Sequence, residues 1–302
     1  MADPVIEVAG LSKSFGGQPA LNGLNLRVPA GSIFGFLGRN GAGKTTTIRM
    51  MSSALKPDAG SIRVFGIPMG EPTKAINARR RMGFVTEEKD LYPYMTVEQI
   101  IRFTRPFFPK WRRDLEQRYL RAFDLPPHKK IPDLSKGMRS KLMLLLAISH
   151  EAELLVLDEP TDGLDPVSVE EMLRVLVGLA ATEGTTVFFS THQLAEVEQI
   201  ADHIAIIDHG RGVVQGSLDD LKAQYRRLHI VFAEEPPVRV RWLDGVEHVH
   251  QEGRTLSVLV SRNVSAVIEQ ARALPGATVE CFPVTLKELF FNHARGSVEC
   301  SG

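Results

Sequence analysis

The stretch GRNGAGKTT, Gly38–Thr46, decides the fold class of this 302-residue chain. It fits the pattern G-x-x-x-x-G-K-[ST], in which glycines let the backbone curl until several N–H groups point at one anion. An apolar strand is predicted just before it, at Ser32–Gly38, and a helix just after it, at Lys44–Leu55. The N-terminus of such a helix favours the same anion. This context predicts a polyphosphate-binding loop between a strand and a helix.

The side chains of this loop have separate expected roles. Lys44 brings a point charge to the β- and γ-phosphates, and the Thr45 hydroxyl is a hard oxygen ligand of the kind that Mg²⁺ prefers. A glycine-rich turn with a chance lysine is the alternative, and the flanking strand and helix disfavour it. The other residues expected to bind the phosphates are Gly38, Asn40, Gly41, Ala42, Gly43 and Thr46.

A second motif, LLVLDEP at Leu154–Pro160, places two acids where an apolar strand ends. In an α/β sheet the carboxyl ends of the strands form the ligand-binding edge. Asp158 is therefore predicted to hold Mg²⁺ indirectly, for example through water, and Glu159 to polarise an attacking water as a general base. The alternative is a purely structural pair of acids at the end of a strand.

From Lys141 to Gly210, helical patterns alternate with strands that are apolar throughout. Such strands are typical of a parallel sheet covered by helices on both faces, so the fold class is predicted to be α/β. The register changes near Gly216–Leu228, which reads as a helical linker. Beyond it, alternating strands and two helices predict a small α+β domain.

The composition excludes several classes of protein. Lys+Arg and Asp+Glu are both 36, and this balance argues against a general nucleic-acid binder. Cys281 and Cys300 are too few for a disulfide scaffold, and a reducing compartment fits them best. No secretory signal is expected at the N-terminus. The longest apolar run, Leu142–Ile148, is too short to span a bilayer, so another chain would have to supply any membrane spans.

Five motifs in order, GRNGAGKTT, LSKGM, LLVLDEP, TDGLD and STH, resemble those of the ATP-binding subunit of an ABC transporter. The resemblance covers about Val5 to Leu228. It implies a P-loop NTPase fold of the ABC type, with a mostly parallel sheet, an antiparallel β subdomain and a helical subdomain. The C-terminal extension and its ending PVTLKELFF resemble bacterial exporters of the ABC-2 type, in which the ATPase and the permease are separate chains.

The resemblance sets the expected domains and further site residues. We expect an ATP-binding domain over residues 1–228 with a helical subdomain at about 87–150, a small α+β domain over 229–295, and a flexible tail over 296–302. Phe15 would stack on adenine, unless it is an ordinary buried phenylalanine. Asp165 would approach the opposite subunit near the nucleotide, and His192 would contact the γ-phosphate. The implied cofactors are ATP and Mg²⁺.

Two motifs depart from the usual family form. In GFVTEEKDL, Glu87 stands where the family has glutamine, and Glu88 is the alternative in register. Glutamate offers a charged oxygen and no donor, so Glu87 is predicted to remain a metal ligand and coupling residue. In LSKGM, Ser135 and Gly137 of the usual L-S-G-G-Q are kept, and the resemblance implies that they contact the γ-phosphate bound by a partner subunit. Ser135 also reads as the cap of the next helix.

The sequence thus predicts an ATP-hydrolysing subunit that powers export through an integral membrane permease at the cytoplasmic face. A second ATP-binding subunit, identical or related, would complete the two ATP sites. Glu159 would orient the water, and Lys44 and His192 would stabilise developing charge. The stretch LYPYMTVEQIIRF is predicted to lie near the permease, unless its aromatics Tyr92, Tyr94 and Phe103 belong to the domain core. No nucleic acid is expected. The alternatives are a soluble ABC ATPase with a non-transport role and a regulatory nucleotide-binding module.

Overall fold

The computed structural model describes residues 4–87, 91–237, 240 and 242–294. The chain divides between Gln215 and Gly216 into two compact units. Glu88 and the predicted tail at 296–302 lie outside the described residues. Within the described residues, no helix combines the length and the apolar character needed to cross a bilayer.

The strands of the first unit form two sheets. They are β1 (Pro4–Phe15), β2 (Gln18–Pro29), β3 (Ile33–Gly38), β4 (Ala59–Val64), β5 (Ile67–Pro68), β6 (Met82–Val85), β7 (Leu154–Asp158), β8 (Thr186–Thr191), β9 (His203–Asp208) and β10 (Arg211–Ser217), the last of which reaches past the unit boundary. The helices are α1 (Lys44–Met51), α2 (Pro72–Arg79), α3 (Val97–Thr104), α4 (Arg113–Ala122), α5 (Lys136–Ile148), α6 (Pro166–Glu183) and α7 (Leu194–Ile200).

The central sheet has the strand order β10-β9-β3-β8-β7-β6. The pairs β3–β8, β3–β9, β7–β8 and β6–β7 are parallel, so the carboxyl ends of these strands meet at one edge. Every residue of β3, β7 and β8 is buried, as a sheet covered on both faces requires. Phe188 packs between Phe34 and Phe36, with ring centroids at 5.7 and 5.4 Å. The predicted α/β class is confirmed.

The second sheet of this unit has the order β2-β1-β4-β5, and its pairs are antiparallel. One face of β1 and β2 is buried with residues from β3 and α1 in a single apolar cluster, and the other face is exposed. The segment from α3 to α5 is mainly helical. The fold therefore combines the mostly parallel core, the antiparallel sheet and the helical segment implied by the resemblance.

The second unit contains α8 (Leu218–Gln224), β11 (Arg226–Phe232), β12 (Val246–Glu252), β13 (Thr255–Val260), α9 (Val264–Arg272), β14 (Ala277–Pro283) and α10 (Leu286–Ala294). Its sheet has the order β12-β13-β11-β14. From its first residue, Arg226, β11 pairs with β13 and β14. The division into compact units at Gln215 and Gly216 lies before α8, whereas the sequence predicted a domain boundary after residue 228.

Candidate active site

The phosphate loop connects β3 to α1 across the carboxyl edge of the central sheet. Gly41 and Gly43 have φ angles of 82° and 109°, in the left-handed region that favours glycine. At Gly43 an added Cβ would lie 2.6 Å from Leu21 Cδ2 and 2.8 Å from the Ala20 carbonyl oxygen. Glycine is therefore required at position 43 both by backbone conformation and by space.

Lys44 is buried at the start of α1, with 6% of its surface exposed. Its Nζ donates to the Gly38 carbonyl at 2.8 Å and lies 3.1 Å from Glu159 Oε1. A buried ammonium requires such compensation, because burial of an unpaired charge costs several kcal/mol. The lysine of the first motif and the second acid of LLVLDEP therefore meet at one point.

Glu159 is held from both sides of its carboxylate. Lys44 contacts Oε1, and the His192 ring nitrogen Nδ1 lies 3.0 Å from Oε2. The residue is buried, and its backbone has a φ angle of 46°, which is uncommon for glutamate. Strained backbone at a buried carboxylate is a frequent feature of catalytic positions. The arrangement can orient a water and accept its proton.

Ser190 links the two acids to the end of β8. Its hydroxyl donates to Asp158 Oδ1 at 2.5 Å, and its Oγ accepts from the Glu159 backbone N–H at 3.1 Å. Asp158 and Ser190 are register partners in the parallel pair β7–β8. Sequence reasoning missed Ser190; the available signal was a small polar residue ending an apolar strand just before His192.

A third buried carboxylate, Glu196 of α7, lies near Glu159. The Thr191 hydroxyl donates to Glu196 Oε2 at 3.1 Å. Burial raises the pKa of Glu196, and the nearby Glu159 charge adds to the rise, while bonds from threonines and the proximity of His192 oppose it. Sequence reasoning missed Glu196 as well, because a glutamate on a short helix usually faces solvent.

Nine of the predicted site residues line one cleft of about 410 Å³. Its walls are formed by the phosphate loop, at residues 39–41 and 43–46, together with Ala20, Glu87, Glu159, Asp162 and His192. Glu87 is exposed and lines this cleft. A larger cavity of about 930 Å³ lies at the opposite edge of the sheet, near Thr186 at the start of β8, and contains none of the predicted site residues.

The donor set suits a hard divalent cation. Thr45 and Glu87 line the cleft, and the Asp158 carboxylate is buried beside Glu159. Among the described residues, no group of three or more His, Cys, Asp or Glu side chains could hold a metal ion by itself. Mg²⁺ usually combines one or two carboxylates with phosphate oxygens and waters. These residues therefore fit Mg²⁺ that arrives with a nucleoside triphosphate.

The other predicted residues do not line the cleft: Gly38, Ala42 and Asp158 are buried, and the remaining four lie elsewhere. Ser135 caps α5 by accepting from the Met138 N–H at 3.1 Å, and Asp165 caps α6 by accepting from the Val167 and Ser168 N–H groups. Hydrogen bonds from Ser168 lower the pKa of Asp165. Gly137 and Phe15 are likewise absent from the cleft walls. Phe15 is 51% exposed, which removes the alternative of an ordinary buried phenylalanine.

Two family models and many known proteins resemble this chain. The family model described as ABC transporter matches residues 21–162, and a model described as AAA domain, putative AbiEii toxin, matches residues 130–198. The daunorubicin resistance ATP-binding protein DrrA3 of Streptomyces coeruleorubidus is 37% identical over 95% of this chain and 93% of its own length. The bacitracin transport ATP-binding protein BcrA of Bacillus licheniformis is 37% identical over 74% of this chain and 73% of its own.

Solved structures show the same fold. The structure of an ATP-binding subunit of an ABC transporter has a TM-score of 0.66 and 31% identity, and it covers 73% of this chain and 92% of its own. A dimeric post-hydrolysis ATP-binding cassette bound to ADP and Pi, MJ0796, has a TM-score of 0.65 over 70% of this chain and 98% of its own. At 21% identity, it supports the fold alone. The chain belongs to the ABC transporter family of ATP-binding proteins.

Proposed function

We propose that this chain is the Mg²⁺-dependent ATPase subunit of an exporter, working in pairs beneath a separate membrane permease at the cytoplasmic face. The observation that carries the proposal is Glu159, held between Lys44 and His192 beside a complete phosphate loop. Relatives named for bacitracin transport and daunorubicin resistance support the export direction. The ATP-binding role belongs to the first unit, and its helical subdomain contains α3, α4 and α5.

The phosphate loop is suited to bind the triphosphate through its inward N–H groups and the N-terminus of α1. Lys44 now contacts the Gly38 carbonyl and Glu159, and it would turn from these two acceptors towards the β- and γ-oxygens of a bound triphosphate. Thr45, Asp158 and Glu87 would hold Mg²⁺, which when bound neutralises charge on the β- and γ-phosphates. Phe15, exposed at the end of β1, would stack on adenine.

Hydrolysis depends on the Glu159 carboxylate. Glu159 would accept a hydrogen bond from the attacking water and so orient it in line with the γ-phosphate. His192 would hold Glu159 through Oε2 and contact the γ-phosphate, while Lys44 stabilises the developing charge. Ser190 would keep Asp158 and Glu159 in position through its two hydrogen bonds.

A second ATP-binding subunit would complete each site. Ser135 and Gly137 lie at the N-terminus of α5, where free N–H groups and the helix dipole favour an anion. These residues do not line the cleft of their own chain, which fits a role towards the nucleotide of a partner subunit. Asp165, exposed at the start of α6, would contact the opposite subunit.

An exposed aromatic patch, made of Tyr92, Tyr94, Phe103 and Phe107, is the proposed permease contact. Neighbouring rings are in contact, with centroid distances of 5.7 Å for Tyr92–Tyr94, 5.3 Å for Tyr92–Phe103 and 5.5 Å for Phe103–Phe107. Their exposed fractions run from 42% to 69%, so the patch is not part of the core. Contiguous exposed aromatics usually mark an interaction site. The patch begins five residues after Glu87, close enough in sequence to link the cleft to the membrane chain.

A steady-state ATPase assay of the purified chain with Glu159→Gln tests the proposal. The wild type should hydrolyse ATP in a Mg²⁺-dependent reaction, and Glu159→Gln should lower kcat by roughly a hundredfold or more, because the amide cannot accept the proton. ATP binding should persist in the variant. A wild type that binds ATP without turnover would instead indicate a regulatory nucleotide-binding module.

A further inference from the structure

The N-terminus of α5 and the loop at residues 161–165 dock on each other within one chain. Lys136 Nζ lies 2.6 Å from Asp162 Oδ2. The Lys136 side chain crosses Gly163 so closely that a Cβ at position 163 would lie 2.7 Å from its Cδ and Nζ. Gly137 adds to the contact, since a Cβ there would lie 3.3 Å from Leu164 Cδ2. The two segments thus meet through both an ion pair and close packing.

The two partners of the ion pair belong to different functional surfaces. Asp162 lines the nucleotide cleft of its own chain, together with Lys44 and Glu159. Lys136 directly follows Ser135, which does not line that cleft and is proposed to reach the nucleotide of the partner subunit. The contact therefore connects the nucleotide cleft of this chain with the Ser135 loop, which is proposed to reach the nucleotide of the partner subunit.

The charges indicate what the pair contributes. Asp162 places a carboxylate in a cleft that is suited to a triphosphate, and the like charges oppose binding. The Lys136 ammonium compensates that charge at 2.6 Å. Because the two side chains are 49% and 42% exposed, the pair adds little to the stability of the fold. Its effect should appear in nucleotide binding and loop position.

We propose that Lys136 and Asp162 are a positioning pair that couples the nucleotide cleft of one subunit to the Ser135 loop that it presents to its partner. The inference rests on the proposed function and deepens it. A glycine at position 136, as in the family's usual motif, has no side chain to make this contact. The lysine of LSKGM therefore gives this chain a link between its two nucleotide-facing surfaces that the usual motif lacks.

A double-mutant cycle on the full chain tests the pair, with KM for ATP and kcat measured separately. Lys136→Met should raise KM about threefold or more, because the Asp162 charge is no longer compensated. In Lys136→Met/Asp162→Asn, KM should return to within about twofold of the wild type, while kcat should be lower than in the wild type, as in Lys136→Met, because the loop is no longer positioned. Lys136→Arg should restore both parameters.

Lys141→Met is the matched control. Lys141 lies on the same helix and pairs with Glu171 of α6 at 2.7 Å, outside the cleft walls, so its loss tests helix packing alone. Its KM and kcat should match the wild type. Thermal midpoints of the Lys136 and Asp162 variants should stay within about 5 °C of the wild type, showing that they fold.

Three outcomes would overturn the inference. One is a double variant whose KM stays as high as that of Lys136→Met; another is an unchanged KM and kcat in Lys136→Met; the third is an equal change in Lys141→Met. A wild type without any ATP turnover would contradict the proposed function instead. The two failures are therefore distinguishable.

Discussion

Glu87 is a single residue whose chemistry differs from the family's usual glutamine. It lines the cleft with Thr45 and Glu159 while remaining exposed. As a proposed Mg²⁺ ligand, it should set the metal dependence of turnover. We predict that the Mg²⁺ concentration for half-maximal ATPase rises in Glu87→Gln and rises further, by roughly tenfold, in Glu87→Ala, because charge and then oxygen are lost.

Titration of Mg²⁺ at saturating ATP measures this effect. Glu98→Gln is a suitable control, since Glu98 is an exposed acid on α3 outside the cleft walls. Unchanged metal dependence in both Glu87 variants would remove Glu87 from the metal site.

The sequence was informative for residues whose motif fixes both type and position. Lys44, Glu159 and His192 follow three different strands, and parallel pairing necessarily brings those strand ends to one edge. Ser190 and Asp162 were not predicted, because a small polar residue at a strand end and an acid in a turn are common in solvent. Only the register β7–β8 and the packing of Lys136 across Gly163 single them out.

Local side-chain hydrogen bonds and backbone conformation set the ends of individual helices. Thr96 forms a capping box with Gln99 at the start of α3, and Ser135 caps α5. The predicted helix Lys44–Leu55 ends earlier, at Met51, because Ser53 has a φ angle of 61° and the Ala54 and Leu55 N–H groups both donate to the Arg49 carbonyl. A hydrophobic pattern cannot reveal such a left-handed residue, so the predicted end was four residues late.

The two caps allow a matched comparison at the scale of helices. Ser135→Ala and Thr96→Ala each remove one side-chain acceptor from a helix N-terminus. Both should lower the free energy of unfolding by about 1 kcal/mol. We predict that only Ser135→Ala also weakens ATP-driven dimerisation, measured by light scattering of the Glu159→Gln background. Equal dimerisation in the two variants would reduce Ser135 to a helix cap.

His150 follows α5 and is buried against Phe108, with ring centroids 3.9 Å apart. Burial lowers its pKa from 6.5 to about 4. In the unfolded chain, His150 binds a proton below about pH 6.5, whereas in the folded chain it binds one only below about pH 4. The free energy of unfolding therefore falls as the pH drops from about 6.5 to about 4.

Between pH 7 and pH 5, the wild type should lose about 2 kcal/mol more unfolding free energy than His150→Phe, which keeps an aromatic ring at the stack. Urea unfolding at the two pH values measures the difference. If both proteins lose the same amount, His150 does not remain neutral in the folded state.

At the scale of the whole molecule, the exposed aromatic patch should decide membrane association. We predict that Tyr94→Ser/Phe107→Ser lowers co-sedimentation with permease-containing membranes by roughly tenfold, because aromatic anchors often dominate interfaces. The free energy of unfolding should change by about 0.5 kcal/mol or less, since both rings are mostly exposed. Val177→Ser, an exposed apolar residue on α6, is the control; a similar loss there would mean that the patch has no special role.

The architecture of the whole chain was predicted less completely than its motifs. Alternating apolar segments predicted the parallel sheet because full burial leaves a strong signal in composition. The unit boundary was harder to place, because the change of register over Gly216–Leu228 indicates a helical linker but not the unit to which this linker belongs. In the structure, the pairing of Arg226 with Val260 and Pro283 places the start of β11 in the sheet of the second unit.

The Ser190 hydroxyl has a spectroscopic consequence. It is fully buried, donates its one proton to Asp158 and accepts from Glu159, so its rotation is fixed in both directions. A hydroxyl proton enclosed in this way exchanges slowly with solvent and resonates apart from the bulk water signal. That one proton gives nuclear magnetic resonance a native reporter at the acid edge of the cleft, without a label on either protein or nucleotide.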